Sequence, residues 1–213
     1  MFDEDAAAFD DDAAAFHEDA AAFDDDAVEP RLRTLLRAFA DDAVSCWLVP
    51  EPERRYAVYH EWFGMVLAHA DRAGEVVTAD DTAAVQVWLS GVDSPPRMVE
   101  ERDEQRLAEL LGTSAPRFRT FGELMSARHP AEPHQYLALI GVEPALQNAG
   151  IGGRALAAVL RRWDEQGVPA YLEASSTRSR QLYLRLGFRD LGPAVQLPDG
   201  PVLHPMWREP EAL

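Results

Sequence analysis

The apolar positions of this chain follow two periods, and the change from one to the other marks its elements. Leu32, Leu35, Leu36 and Phe39 recur every three or four residues and predict a helix over residues 31–42. Pro50 and Pro52 punctuate the turn that follows. Tyr56, Tyr59, His60, Phe63, Val66 and Leu67 then give one face to a second helix over residues 53–73, closed by Gly74. Residues 75–78 and 84–89, joined through Asp80 and Asp81, read as a β-hairpin. Ser94-Pro95-Pro96 marks a loop, and helices are expected over residues 100–111 and 119–127.

The second half is better punctuated. Pro130 and Pro133 bracket the entry to an apolar strand over residues 136–142, which leads into Gln147-Asn148-Ala149-Gly150-Ile151-Gly152-Gly153. A helix follows with Leu156, Val159, Leu160 and Trp163 on one face, stopped by Gly167 and Pro169. Residues 170–174 form a short strand, and Ser175, Ser176 and Thr177 offer N-cap chemistry to a helix carrying Leu182, Tyr183 and Leu186. Gly187 ends that helix and Phe188 opens the next strand. Residues 195–197 and 202–203 flank a Pro198-Asp199-Gly200-Pro201 turn, and Pro205 implies an edge strand or a bulge. Trp88 and Trp163 read as core, and Cys46 as a small buried apolar residue.

Residues 1–27 break the pattern. Phe2, Phe9, Phe16 and Phe23 recur every seven residues among acids and alanines. One large apolar group per repeat is too little to offset the entropy of ordering it, and a coiled coil needs two. The chain therefore divides into an acidic low-complexity arm, 1–29, disordered or loosely helical, and one domain, 30–213. The net charge of −17 makes nucleic acid an unfavourable partner. No apolar run reaches the roughly 18 residues of a membrane span, and the acidic start is unlike a secretory signal. A single cysteine excludes an internal disulfide and a cysteine-based metal site, so no metal is expected and a cytoplasmic setting is. All 20 basic residues are arginine. That excludes a Walker-type phosphate loop, which requires lysine.

The glycine-rich turn still reads as an anion site. Its glycines allow a close backbone approach, and the first N–H groups of the following helix carry positive partial charge. Gly150-x-Gly152-x-x-Ala155, with Glu173 further on, formally matches a dinucleotide fingerprint. Yet residues 144–149 separate strand from glycine, and too little chain follows Glu173 to complete such a sheet.

At these residues the chain resembles the GNAT superfamily of N-acetyltransferases. Gln147, Gly150 and Gly152 stand in its Gln/Arg-x-x-Gly-x-Gly/Ala signature, and residues 171–175 with 182–188 match its second half. The branch it looks most like is the puromycin N-acetyltransferase-like one, through residues 38–42, 83–88, 132–133 and 198–201. The resemblance implies an α/β fold, a mixed and mostly antiparallel central sheet flanked by helices (the acyl-CoA N-acyltransferase fold). It implies transfer of an acetyl group from acetyl-CoA, as co-substrate, to an amine of a small and antibiotic-like molecule through a ternary complex. The enzyme would be a monomer or homodimer without a membrane partner.

The same resemblance implies roles for particular residues. Ile140, Gly141, Val142, Gln147, Asn148, Ala149, Gly150, Ile151, Gly152, Gly153 and Ser179 would bind the cofactor, with an N–H near Val142 on the thioester carbonyl. Tyr183 matches the family's general acid, although a tyrosine between Leu182 and Leu186 also suits a core. Glu173 reads either as a general base or as a solvated strand-end carboxylate. Tyr59, His60, Trp62 and Phe63 suit an aromatic acceptor pocket or a helix core face, and His129 and His134 lie beside the central strand. Asn148 and Ala149 stand where the family has Gly-Lys or a similar pair, and Ser179 where it has asparagine. The family's first strand has no counterpart before Arg31. A degenerate acyl-CoA-binding module acting through a protein partner is the alternative these departures suggest.

Overall fold

The computed structural model describes residues 27–91 and 96–211, so the acidic repeat and most of the Ser94-Pro95-Pro96 loop lie outside the described residues. Helix α1, Pro30–Phe39, starts where Pro30 presets a helical φ and the Glu29 carboxylate accepts from the Leu32 N–H at 2.9 Å. The helix expected over 31–42 ends at Phe39, and a second helix that the periodicity did not predict follows it. Asp42 turns its carboxylate back onto the N–H groups of Val44 and Ser45 and caps a separate short helix, α2, Ala43–Leu48. Arg55 fixes this corner from the next helix, α3, Pro52–Ala73. Arg55 is 6% exposed, and its guanidinium donates to the carbonyls of Ala40, Val49 and Pro50 at 2.8, 2.7 and 2.9 Å.

The hairpin follows as β1, Gly74–Ala79, and β2, Ala84–Ser90, turned by Asp80, Asp81 and Thr82 at positive φ. Helices α4, Glu104–Leu111, and α5, Ala115–Ser126, then cross the molecule. The central strand is β3, Gln135–Val142, and the helix beyond the glycine turn is α6, Ile151–Gln166. Gly167 at φ 66 ends α6, with paired back-bonds from its own N–H to Asp164 and from Val168 to Trp163. Strand β4, Ala170–Ala174, helix α7, Thr177–Arg185, and short strands β5, Arg189–Asp190, and β6, Val195–Gln196, lead to β7, Val202–Arg208.

The strand order is β1-β2-β3-β4-β7-β5, with β6 also on β7, and every pairing except β3–β4 is antiparallel. This is the mixed, mostly antiparallel sheet flanked by helices that the sequence implies. One core packs α1 to α3 against one face, centred on Leu35, Phe63 and Val87. The other packs α6 and α7 against the opposite face, around Leu156, Leu172 and Met206, with Trp88 and Trp163 edge to face at 6.0 Å. Among the described residues no helix is long and apolar enough to cross a membrane.

Two expectations need correction. Pro205 is not on an edge strand, since β7 pairs with β4 on one side and β5 on the other. It is tolerated because it lies just past the last β5 pair, Asp190 with Met206, where no ladder N–H is demanded of it. Cys46 is half-exposed rather than buried.

Arg208 at the end of β7 locks both halves of the second core. Its guanidinium meets Asp164 of α6 through bonds of 2.5 and 2.9 Å and donates to the Leu186 carbonyl at 2.9 Å. The two side chains are only 5% and 6% exposed, so neither charge has water to fall back on. Asp164→Asn keeps the shape, removes one charge and should cost about 3–5 kcal/mol in chemical denaturation. The Arg208 contact holds the Asp164 carboxyl below its usual range. Its contribution should therefore be complete above the ordinary carboxyl range and disappear as pH falls through the lower folded value.

Candidate active site

Strands β3 and β4 run side by side only at their start. Gln135 pairs with Ala170 and Tyr136 with Tyr171, after which the two strands part into a V. The ladder fixes which backbone groups line the gap. The Gln135 N–H donates toward β4, to Pro169 at 2.9 Å, and the Glu143 N–H toward β2, to Ala83 at 2.8 Å. Regular alternation would aim these two odd-numbered residues the same way. The register shift opposite Val87 and Trp88 passes over Ala138 and reverses the alternation. Above it, residues 139, 141 and 143 bond toward β2, and the amides of Ile140 and Val142 face the open side of the V.

The glycine turn closes the mouth of that V. The Gln147 amide donates to the Val142 carbonyl at 3.2 Å, and Asn148 and Gly150 take φ of 70° and 76°. No side chain among the described residues caps α6, which leaves its first N–H groups open. A Cβ on Gly152 would stand 2.9 Å from Val142 Cγ2, and one on Gly153 would stand 3.1 Å from Leu182 Cδ1. Glycine at these positions lets the helix start this close to the strand. Two arginines border the turn: Arg154 donates to the Ala149 carbonyl at 2.8 Å, and Arg178 of α7 donates to the Asn148 side-chain oxygen. The sequence reading missed Arg178. It returns a cation to a turn that lacks the family's usual basic residue.

A cavity of about 1300 Å³ passes through the V, joining the face under α6 and α7 to the face under α2, α3 and α5. Ile140, Val142, Gln147, Asn148, Gly150, Ile151, Gly152, Gly153, Ser179, Glu173 and Tyr183 all line it. Gly141 and Ala149 do not. Gly141 turns toward α1, where a Cβ would lie 3.0 Å from that of Ala38, and Ala149 offers only its carbonyl to Arg154. The hydroxyl of Ser179 is engaged with Ser176 in a capping box. On the far side stand Tyr59, Trp62, Phe63 and Phe118, with Trp62 edge-on to Tyr59 at 5.3 Å and to Phe118 at 5.2 Å. His60 is outside this wall, beside Glu61.

Glu173 sits where the strands part. It shares a sheet face with Tyr136 and Tyr171, the last paired residues, because side chains alternate along β4. The Tyr136 hydroxyl donates to Glu173 Oε2 at 2.9 Å, while Oε1 is buried with no hydrogen-bond partner among the described residues. Burial pushes the Glu173 carboxyl up to about 7, and the Tyr136 bond only partly offsets this. A carboxyl near neutrality can take up and release a proton at working pH. Tyr183 is buried; desolvation first, and Asp42 second, raise its phenol pKa. It thus holds its proton in the donating form. His129 lines the same cavity, and His134 lies behind it.

The acetyltransferase (GNAT) family matches residues 35–188. A solved structure from Corynebacterium glutamicum, described as histone acetyltransferase HPA2 and related acetyltransferase, is 26% identical. The alignment covers 85% of this chain and 90% of that one, with a TM-score of 0.59. PH1933 from Pyrococcus horikoshii shares the fold at 11% identity, over 87% and 94% of the two chains, with a TM-score of 0.52.

Because burial favours the neutral Glu173 carboxyl, the stability it confers is complete below about 4.5 and is lost as pH rises through about 7. Glu173→Gln keeps the neutral shape. It should match the wild type in denaturant at pH 4 and exceed it by about 3 kcal/mol at pH 8. A variant less stable than wild type at pH 8 would contradict a buried, strained carboxylate.

Proposed function

Given that the chain belongs to the acetyltransferase (GNAT) family, we propose that it moves an acetyl group from acetyl-CoA directly to the amine of a small molecule, with both reactants bound at once. Acyl transfer is the chemistry of the family, and the protein is an acyltransferase. The observation that carries the finer reading is the V itself: the strand amides of Ile140 and Val142, without a strand partner among the described residues, stand below the open N-terminus of α6. Helix amides and Arg178 suit a diphosphate, and strand amides suit an amide-containing arm and a thioester oxygen. The cavity exceeds the 300–1,000 Å³ of an ordinary ligand pocket, which supports two reactants meeting inside it.

On this reading residues 30–213 are the catalytic domain, residues 1–29 are an acidic arm, and a chain with one cysteine suits the cytoplasm. Acetyl-CoA enters from the α6–α7 side and the amine from the aromatic wall. Glu173 takes a proton from the amine as its nitrogen attacks the thioester carbon. The Val142 N–H holds the developing oxyanion, and Tyr183 gives its proton to the departing sulfur as the C–S bond breaks. The amine loses one N–H and gains an acyl group, and the thiol regains its proton. Net acidity draws cationic amines toward the protein.

Isothermal titration tests the reading first: micromolar binding of acetyl-CoA and none of NAD is expected, and no binding of acetyl-CoA would end it. Tyr183→Phe should leave that affinity unchanged and lower turnover by about 10²-fold or more. The rate should rise with pH through about 7, as Glu173 loses its proton. Arg178→Gln should weaken acetyl-CoA about tenfold and leave acetyl-pantetheine, which has no diphosphate, unaffected. Equal losses with both donors would make Arg178 structural.

A further inference from the structure

The acidic repeat has no part in acetyl transfer as proposed above, and the domain carries a surface that complements it. The chain has 37 acids against 20 arginines, and exposed arginines such as Arg72, Arg97, Arg102 and Arg106 each hold a carboxylate. Arg161 of α6 and Arg185 of α7 do not. Both are exposed, and neither makes a hydrogen bond or ion pair among the described residues. They rim a recess of about 190 Å³ between the two helices, lined also by Ala157, Leu160 and Leu186. Its acids are already engaged, since Arg208 binds Asp164 at 2.5 and 2.9 Å and meets Glu211 at 3.4 Å. The recess therefore sets two uncompensated cations around apolar side chains.

The recess adjoins the cofactor side of the cleft. Arg185 lines the large cavity as well, together with Arg178 at the glycine turn. These two arginines are seven residues apart on α7, about 10.5 Å along its axis. Arg154 and Arg161 have the same interval on α6, so the space between the helices carries arginine at both ends. Residues 1–26 match this surface in sequence. Eleven of them are acidic, none is Lys or Arg, and Phe2, Phe9 and Phe23 each stand directly before three acids. A phenylalanine followed by carboxylates suits apolar side chains rimmed by arginine. The arm joins the domain next to Arg31, which binds Glu29 at 2.7 Å and Asp71, at the end of α3, at 2.8 Å. Beyond Asp71 comes edge strand β1, whose Glu75 binds Arg162 of α6 at 2.7 and 2.8 Å. At up to about 3.3 Å per residue, the arm is long enough to pass that edge and reach the recess.

Resting on the acetyl-CoA reading above, we propose that the acidic arm docks on Arg161 and Arg185 and competes with acetyl-CoA for the entrance between α6 and α7. Its carboxylates take the cations of the recess, and a phenylalanine takes the apolar side chains between them. Exposed charge pairs are weak one by one, but the tether keeps the arm at a high effective concentration beside its site. The arm is thus a competitive brake. Acetyl-CoA at high concentration displaces it, and salt loosens it.

The test uses full-length chains. In one, the eleven acids of residues 3–26 become Asn or Gln; in a second, Arg161→Gln and Arg185→Gln are combined; a third carries both sets of changes. Titration at low salt should find acetyl-CoA bound about fivefold more tightly by the neutral-arm chain than by wild type. With both arginines replaced, neutralising the arm should change nothing. Fluorescence anisotropy gives a second readout. A labelled peptide of residues 1–26 should bind the neutral-arm chain, be released by acetyl-CoA, and fail to bind the chain that also lacks the two arginines. An unchanged acetyl-CoA affinity in the neutral-arm chain overturns the proposal, as does a gain that survives loss of the arginines. A gain that grows with protein concentration would put the arm on a second copy, which also overturns docking within one chain. If none of the chains binds acetyl-CoA, the acetyl-transfer reading fails, while peptide binding that depends on the two arginines still judges the docking site.

Discussion

The separation of β3 from β4 after two residue pairs is the constraint on which the rest of this structure depends. A parallel pair that continued would satisfy its own backbone groups and leave nothing for a ligand. Here the ladder stops at Tyr136 and Tyr171, and the shift at Ala138 aims the next free amides into the gap. Cores on both sheet faces hold the strands apart, with Gly152 of α6 set hard against Val142.

Holding such a gap open has a cost, and the molecule concentrates it at Glu173. A carboxyl with one oxygen buried and unpartnered is unfavourable when ionised, which is why its pKa moves toward neutrality. The stabilising charge pair is elsewhere, where Arg208 and Asp164 fasten β7 to α6 behind the cleft. Two buried carboxylates thus have opposite fates. One is paired and pushed down for stability, and the other is isolated and pushed up, which suits proton transfer.

The glycine turn shows how the donors of the proposed anion site can be assembled without a lysine. The chain has no lysine, and its glycine turn carries Asn148 and Ala149. The helix amides remain, because they belong to the backbone. The cation comes from Arg178 on a different helix, held at the turn by Asn148.

Much of this was legible in the residues alone. The central strand, the glycine turn, the helix ended by Gly167 and the strand at 170–174 all appear where period and punctuation put them. Those signals are local: a repeat of 3.6 or 2, a residue free to take positive φ, a side chain that caps its own helix. What the sequence could not decide was set by partners far along the chain. Asp42 caps a short helix that periodicity did not announce, Arg55 holding the corner. The shift at Ala138 turned Gly141 from the cleft and Val142 into it, because that direction depends on pairing with β2. Pro205 found a place inside the sheet only because β5 ends beside it. Local periodicity determined the elements; the pairing of distant strands and side chains decided which atoms face the cleft.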